Sequence, residues 1–175
     1  MKVLVTGGVR SGKSSHAERL LEHAPAVTYV APGPTPDEDA DPDWAARIAA
    51  HRARRPARWT TLESRDLATA LAVDGAILVD CLGTWLAAVL DEAALWDAEP
   101  GEIHRHVSAQ TDAAIAALGA ARGPVVVVTN EVGLGVVPEH RSGRLFRDLL
   151  GVVNQRFGAA CDEVHLVVAG RVLRL

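Results

Sequence analysis

Gly7-Gly8-Val9-Arg10-Ser11-Gly12-Lys13-Ser14 (GGVRSGKS, residues 7–14) fits the pattern G-x-x-x-x-G-K-[ST], with Gly7, Gly12, Lys13 and Ser14 at the fixed places. An apolar run, Val3-Leu4-Val5, leads into it, and a helix-like segment, Ser15–Glu22, leads out. Strand, loop and helix in that order make a phosphate-binding loop rather than a chance glycine cluster. Glycines let backbone N–H groups converge on an anion, and the start of the following helix adds a favourable dipole. In such loops the lysine reaches the β/γ-phosphates and the serine hydroxyl holds Mg²⁺. The chain has two lysines, Lys2 and Lys13, and its other basic side chains are arginines. A lysine kept at this interior point suits a compact ammonium rather than a planar fork.

The bulk numbers bound the rest. A chain of 175 residues, 49% hydrophobic and 23% charged, is long and apolar enough for one globular domain, residues 1–175, with its own core. A net charge of −4 offers no positive field for nucleic acid. Cys81 and Cys161 make neither a disulfide framework nor a zinc site, and read as buried free thiols. No apolar run reaches membrane-spanning length, and the N-terminus shows no signal-peptide pattern, so a cytoplasmic protein is expected.

Working outward, β-branched and apolar runs alternate with helical periodicity. Strands are expected over 2–6, 26–31, 58–62, 76–80, 124–129 and 163–169, with 171–175 as an edge strand after Gly170. Helices are expected over 13–22, 42–55, 64–72, 82–90, 102–121 and 141–160. Asp41 or Asp43 caps the second helix, Pro56 ends it, and Ser64 caps the third. Residues 32–42 hold four prolines and four acids and read as a mobile surface loop. Several strands are continuous apolar runs. The fold class is therefore α/β: a three-layer, P-loop-NTPase-like domain around a mostly parallel sheet, with a short antiparallel edge. Ligands bind such sheets at the carboxyl ends of the strands. There the phosphate loop, Asp80 and Asn130-Glu131 should lie side by side.

Asp80 closes AILVD and reads as an outer Mg²⁺ ligand. Glu131, after the strand PVVVV, is a candidate to orient a hydroxyl or water toward the γ-phosphate, or to bind metal. Residues 47–55 crowd four arginines and one histidine into an acidic protein. Arg47, His51 and Arg55 share a helix face, at a spacing where like charges repel, so an anion such as a triphosphate should offset them. The arginines should also keep His51 neutral and nucleophilic. His16, just past the loop, reads as packing or polar support, and the four tryptophans as core or interface.

VTGGVRSGKSSHAE, AARIAAHRARRPARWTTLE, ILVDCLGTWL and the run beginning VVVVTNEVGLGVVPEHRSGRLFRDLLGVVNQRF together resemble the bifunctional adenosylcobinamide kinase / adenosylcobinamide-phosphate guanylyltransferase family of cobalamin biosynthesis. The resemblance covers nearly the whole chain. It implies that ATP or GTP phosphorylates adenosylcobinamide, after which GMP passes from GTP to adenosylcobinamide phosphate through a guanylylated histidine. The family's R-I-x-x-H-[KR]-x-x-R-P segment is Arg47–Pro56 here, which maps the nucleophile to His51, with Lys13 as the second catalytic residue. It implies nucleotide contacts from residues 7–14 (Gly7, Gly8, Val9, Arg10, Ser11, Gly12, Lys13, Ser14) and from Arg52, Ala53, Arg54, Arg55, Glu63 and Asp80. Gly33 is the candidate contact from the proline-rich loop, which looks longer than the family's usual segment. Relatives can carry Glu where Asp80 stands, and the family usually forms homotrimers with sites near subunit boundaries. The resemblance thus implies Mg²⁺, GTP, ATP and a corrinoid as the small molecules bound.

Two other readings compete. A small-molecule kinase without the transferase shares the phosphate loop but leaves the His51 cluster without a role. A GTP-dependent switch reads guanine with Asn-Lys-x-Asp, which a chain with no lysine after Lys13 does not have.

Overall fold

In the computed structural model, which describes residues 1–39 and 41–175, seven strands form one sheet. They are β1 (Lys2–Gly7), β2 (Val27–Ala31), β3 (Trp59–Glu63), β4 (Ala76–Asp80), β5 (Val125–Val128), β6 (Glu163–Val168) and β7 (Arg171–Arg174). The helices are α1 (Lys13–Leu20), α2 (Pro42–Arg54), α3 (Leu67–Ala70), α4 (Leu82–Glu92), α5 (Pro100–Ala120) and α6 (Arg141–Ala160). The strand order is β3-β2-β4-β5-β1-β6-β7. Adjacent pairs run parallel except β6–β7, the expected antiparallel edge.

Side-chain alternation splits the core by face. Leu4, Ile77, Val79, Val125 and Val127 pack under α3–α6, while Val3, Val5, Leu78, Val126 and Val128 pack with Ala17 and Leu21 on the α1 side. This is why β1, β4 and β5 read as unbroken apolar runs: both faces are covered. The topology then fixes the site. β5 lies between β1 and β4, with Val128 level with both Asp80 and Val5. The phosphate loop, the end of β5 and Asp80 therefore emerge in a row.

Some boundaries differ from expectation. α3 is a single turn, and its cap is Asp66 rather than Ser64: Asp66 Oδ1 accepts from the Thr69 N–H at 3.0 Å. A carboxylate two residues on satisfies the orphan N–H that Ser64 was expected to take. α5 begins at Pro100, the helix position where proline costs nothing because its N–H would be unpaired anyway. Asp41 caps α2, its Oδ1 accepting from the Asp43 N–H at 2.9 Å. Residue 40 of the proline-rich stretch lies outside the described residues. The neighbouring segment makes specific contacts: Arg65 pairs with Glu38 at 2.7 Å and with Glu92 at 2.6 Å, and the Trp44 indole donates to the Pro34 carbonyl at 2.9 Å.

α2 is the exception to core packing, because none of its residues is buried. It stands over the C-terminal edge of the sheet, tied by Arg54 to Glu18 of α1 at 3.0 Å and by Arg52 to Glu63 of β3.

Candidate functional site

The phosphate loop bends through left-handed backbone at Arg10 (φ 54°) and Gly12 (φ 97°), the latter serving as N-cap of α1. Gly7 has no room for a side chain, since a Cβ there would lie 2.4 Å from the Val167 carbonyl oxygen and 2.7 Å from the Ser11 hydroxyl. Gly7→Ala is expected to cost about 1–3 kcal/mol by overpacking, read as a lower denaturant midpoint, and to weaken nucleotide binding in the same protein. Lys13 is only 5% exposed, and its ammonium donates to the Gly8 carbonyl at 3.2 Å. Burial is the main cause holding its pKa below the ordinary lysine value; Arg47 adds to this, and Cys81 and Asp80 oppose it.

α2 divides two clefts. One, of about 840 Å³, lies between α2 and the loop and is lined by Arg10–Ser15 with Arg47, His51 and Arg54. The other, of about 400 Å³, is mostly apolar and runs from Gly33, Ile48 and Arg52 to Glu63, Asp80 and Phe146. Trp44, Arg47 and His51 line both.

At the junction three polar groups converge. The Tyr29 hydroxyl donates to Asp80 Oδ2 at 3.0 Å, His51 Nδ1 lies 3.6 Å from the same oxygen, and Nδ1 lies 3.5 Å from the hydroxyl. The Arg55 guanidinium stacks 3.3 Å from the Tyr29 ring centre and is itself pinned by a 2.9 Å bond from Nη1 to Thr61 Oγ1. Burial, then Asp80, pushes the Tyr29 hydroxyl far above its usual pKa, so it remains a donor. His51 is held below the ordinary histidine value first by burial, then by Arg54 and Arg47, against the opposing pull of Asp80 and Glu18. The neutral imidazole expected from the arginines alone thus owes more to desolvation.

The arginines also separate. Arg55 is the C-cap of α2, with extended backbone at ψ 138°, and so leaves the face it was expected to share with Arg47 and His51. Glu63 pairs with Arg52 and Glu18 with Arg54, so protein carboxylates offset part of the cluster's charge. Among the described residues, no carboxylate pairs with Arg47 or Arg55. Ala53 is exposed and lines neither cleft. Gly33 lines the apolar cleft, where a Cβ would sit 3.2 Å from both Thr84 and Trp44. Exposed Val9 lies on the same wall.

Glu131 lines neither cleft: its carboxylate folds back to accept from the Gly133 N–H at 3.0 Å. A short glycine-bearing turn offers that carboxylate a local donor, and its role as base or metal ligand gains no support from the geometry. Its backbone is the part that matters, the N–H donating to the Gly7 carbonyl at 3.1 Å and so tying this loop to the phosphate loop. Asn130 faces the cleft instead, its Oδ1 3.4 Å from the Cys81 thiol, while Asn154 of α6 donates to the Asn130 carbonyl at 3.0 Å. Cys81 and Cys161 are free, and burial raises both thiols, Cys161 to about 11. His16 bonds the buried His165 at 2.9 Å, which pairs with Glu163 at 2.8 Å: polar support of α1, as expected.

Two site residues escaped the sequence reading: Tyr29 looked like one more residue of an apolar strand and Trp44 like a core anchor. Asn130 was placed at the site, but the chemical role was given to Glu131. Only strand order reveals Tyr29, because β2 pairs with β4 and so sets it beside Asp80. For a metal, Tyr29 and His51 both engage Asp80 Oδ2. Among the described residues no protein donor takes Oδ1 or the Ser14 hydroxyl. A carboxylate and an alcohol completed by phosphate oxygens suit Mg²⁺, which takes few protein ligands.

The sequence model of the family described as "Cobinamide kinase / cobinamide phosphate guanyltransferase" (CobU) matches residues 3–175. The chain is 45% identical to the bifunctional adenosylcobalamin biosynthesis protein CobU of Salmonella typhimurium, over 97% of each chain. It is 40% identical to CobU of Escherichia coli, again over 97% of each. With the bifunctional adenosylcobalamin biosynthesis protein CobP of Pseudomonas aeruginosa it shares 38% identity, over 97% of this chain and 94% of that one. Among solved structures, an ATPase from the type III secretion system of pathogenic bacteria superposes with a TM-score of 0.59, over 94% of this chain and 51% of that one. At 10% identity that likeness is one of fold alone.

Proposed function

The chain belongs to the cobinamide kinase / cobinamide phosphate guanyltransferase family, and on that premise we propose that it runs two reactions in sequence. It phosphorylates adenosylcobinamide from ATP or GTP, then transfers GMP from GTP to adenosylcobinamide phosphate through His51, giving adenosylcobinamide-GDP and pyrophosphate. The observation that carries this reading is that His51 lies on the wall of the phosphate-loop cleft and of the apolar cleft at once. A kinase without the transferase has no use for a half-buried, neutral imidazole at that junction.

In the first step the loop amides of Gly7–Gly12 and the Lys13 ammonium hold the triphosphate and neutralise charge on the transferring γ-phosphoryl group. Ser14 and Asp80 would hold Mg²⁺, which supplies Lewis-acid neutralisation of the phosphates. In the second step His51 attacks the α-phosphorus, dividing one displacement between two anions into two. Arg47, without a carboxylate partner among the described residues, is placed to meet the phosphate chain. Arg52, Arg54, Arg55, Glu63 and Gly33 surround the remainder of the nucleotide. One domain, residues 1–175, carries both steps, in the cytoplasm and as a homotrimer. Sedimentation at three times the chain mass checks the last point.

The reading is tested with GTP labelled at the α-phosphate. The protein should take up label in an acid-labile bond, and added adenosylcobinamide phosphate should discharge it. No label, and no pyrophosphate from GTP with the phosphorylated corrinoid present, would reduce the protein to a kinase.

The histidine shift sets the pH dependence. A depressed pKa keeps the imidazole neutral, hence nucleophilic, to lower pH than an unperturbed histidine. The acid limb of self-guanylylation should therefore fall below 6.5, the ordinary histidine value. A limb at or above that value in a pH–rate profile counts against a half-buried neutral nucleophile.

A further inference from the structure

Resting on the guanylyl-histidine reading, the geometry points to Tyr29 as the positioning residue that fixes which nitrogen of His51 attacks. A hydroxyl has one proton. That of Tyr29 is given to Asp80 Oδ2 at 3.0 Å, the hydroxyl donating and the carboxylate oxygen accepting. In its 3.5 Å contact with His51 Nδ1 the hydroxyl oxygen is then left as acceptor, and the nitrogen must be the donor. The 3.6 Å approach of Nδ1 to Asp80 Oδ2 is too long for a hydrogen bond, but it sets this edge of the ring beside the carboxylate. In the neutral imidazole the proton therefore sits on Nδ1, and Nε2 carries the free lone pair.

The chemistry needs that arrangement. The Nε2 pair forms the bond to the α-phosphorus of GTP while the bond from that phosphorus to the bridging oxygen breaks, its electrons leaving with pyrophosphate. The Nδ1 proton stays, so the guanylylated ring carries a positive charge, and it carries it beside the Asp80 carboxylate. When an oxygen of the corrinoid phosphate attacks in turn, the N–P pair returns to Nε2 and the ring is neutral again. Tyr29 keeps the carboxylate aimed at the ring throughout. Its own ring is clamped beneath Arg55, which Thr61 holds in turn, and the residue is 2% exposed.

Tyr29→Phe removes the hydroxyl and keeps the ring under Arg55. In ¹⁵N-histidine-labelled protein, His51 of the unsubstituted chain should show a protonated Nδ1 and an unprotonated Nε2. In Tyr29→Phe the two tautomers should mix. Single-turnover guanylylation should fall about tenfold, the effect of one hydrogen bond to a charged group, while the GTP concentration for half-maximal rate stays within about twofold. Unchanged tautomer and rate overturn the assignment. So does a slower rate with the tautomer unmoved, or a loss confined to GTP affinity. If the unsubstituted protein takes no label at all, the guanylyl-histidine reading itself has failed, and the two failures are distinct.

Discussion

Alanine at position 51 is expected to leave an enzyme that still phosphorylates its corrinoid but no longer transfers GMP. Self-guanylylation should drop by about a thousandfold or more, because among the described residues no second imidazole stands at the junction of the two clefts to replace it. Tyr29 stays protonated, burial holds Cys81 in its thiol form, and Lys13 is engaged with the loop. Stability should change by no more than about 1 kcal/mol, since the helix bearing His51 buries nothing in the core. The phosphoryl-transfer groups of the loop are untouched, so most of the kinase rate should survive. The check is paired: label uptake from α-labelled GTP, and adenosylcobinamide phosphate formation from γ-labelled ATP, in one preparation. Label retained by the alanine variant moves the nucleophile elsewhere. Loss of both activities together means instead that His51 helps hold the triphosphate.

Legibility of this site in the sequence followed the range of the interactions. GGVRSGKS announces itself because its chemistry is local: glycine dihedrals, a helix start and one lysine within eight residues. The alternation of strands and helices was equally local, and the sheet followed from it. The arginine cluster showed that something unusual occupies residues 47–55, but not how its charges are used. Pairing of Arg54 with Glu18 spans 36 positions, and stacking of Arg55 on Tyr29 depends on a chain that has already left the helix. Tyr29 was invisible for the same reason. Its partner Asp80 lies 51 residues on, and only the pairing of β2 with β4 brings them together. Glu131 shows the converse error, a carboxylate in the right place along the chain whose nearest donor is its own turn.

Methionine at position 13 should have the opposite reach to alanine at 51, abolishing both reactions instead of one. The ammonium is 5% exposed, and burial already penalises its charge. Replacing it with an apolar chain of similar length relieves that desolvation, and the thermal midpoint should hold or rise slightly. Activity should not survive. In phosphoryl transfer the lysine neutralises the γ-phosphate that moves; in guanylyl transfer those same β- and γ-phosphates are the pyrophosphate that leaves. One charge therefore stabilises the transferred group in one transition state and the leaving group in the other, and each rate should fall about 10²–10³-fold. Arginine should not restore either, since a planar fork neither fits the buried position nor reproduces a point charge. Parallel assays of phosphoryl and guanylyl transfer decide the matter. If guanylylation persists while the kinase is lost, the guanine nucleotide binds away from the loop, and α2 serves two separate sites. If both fall together, a single triphosphate site serves both chemistries. The loop then fixes the phosphates, and His51, on the helix above, determines whether the bond broken lies at the α-phosphorus or the γ.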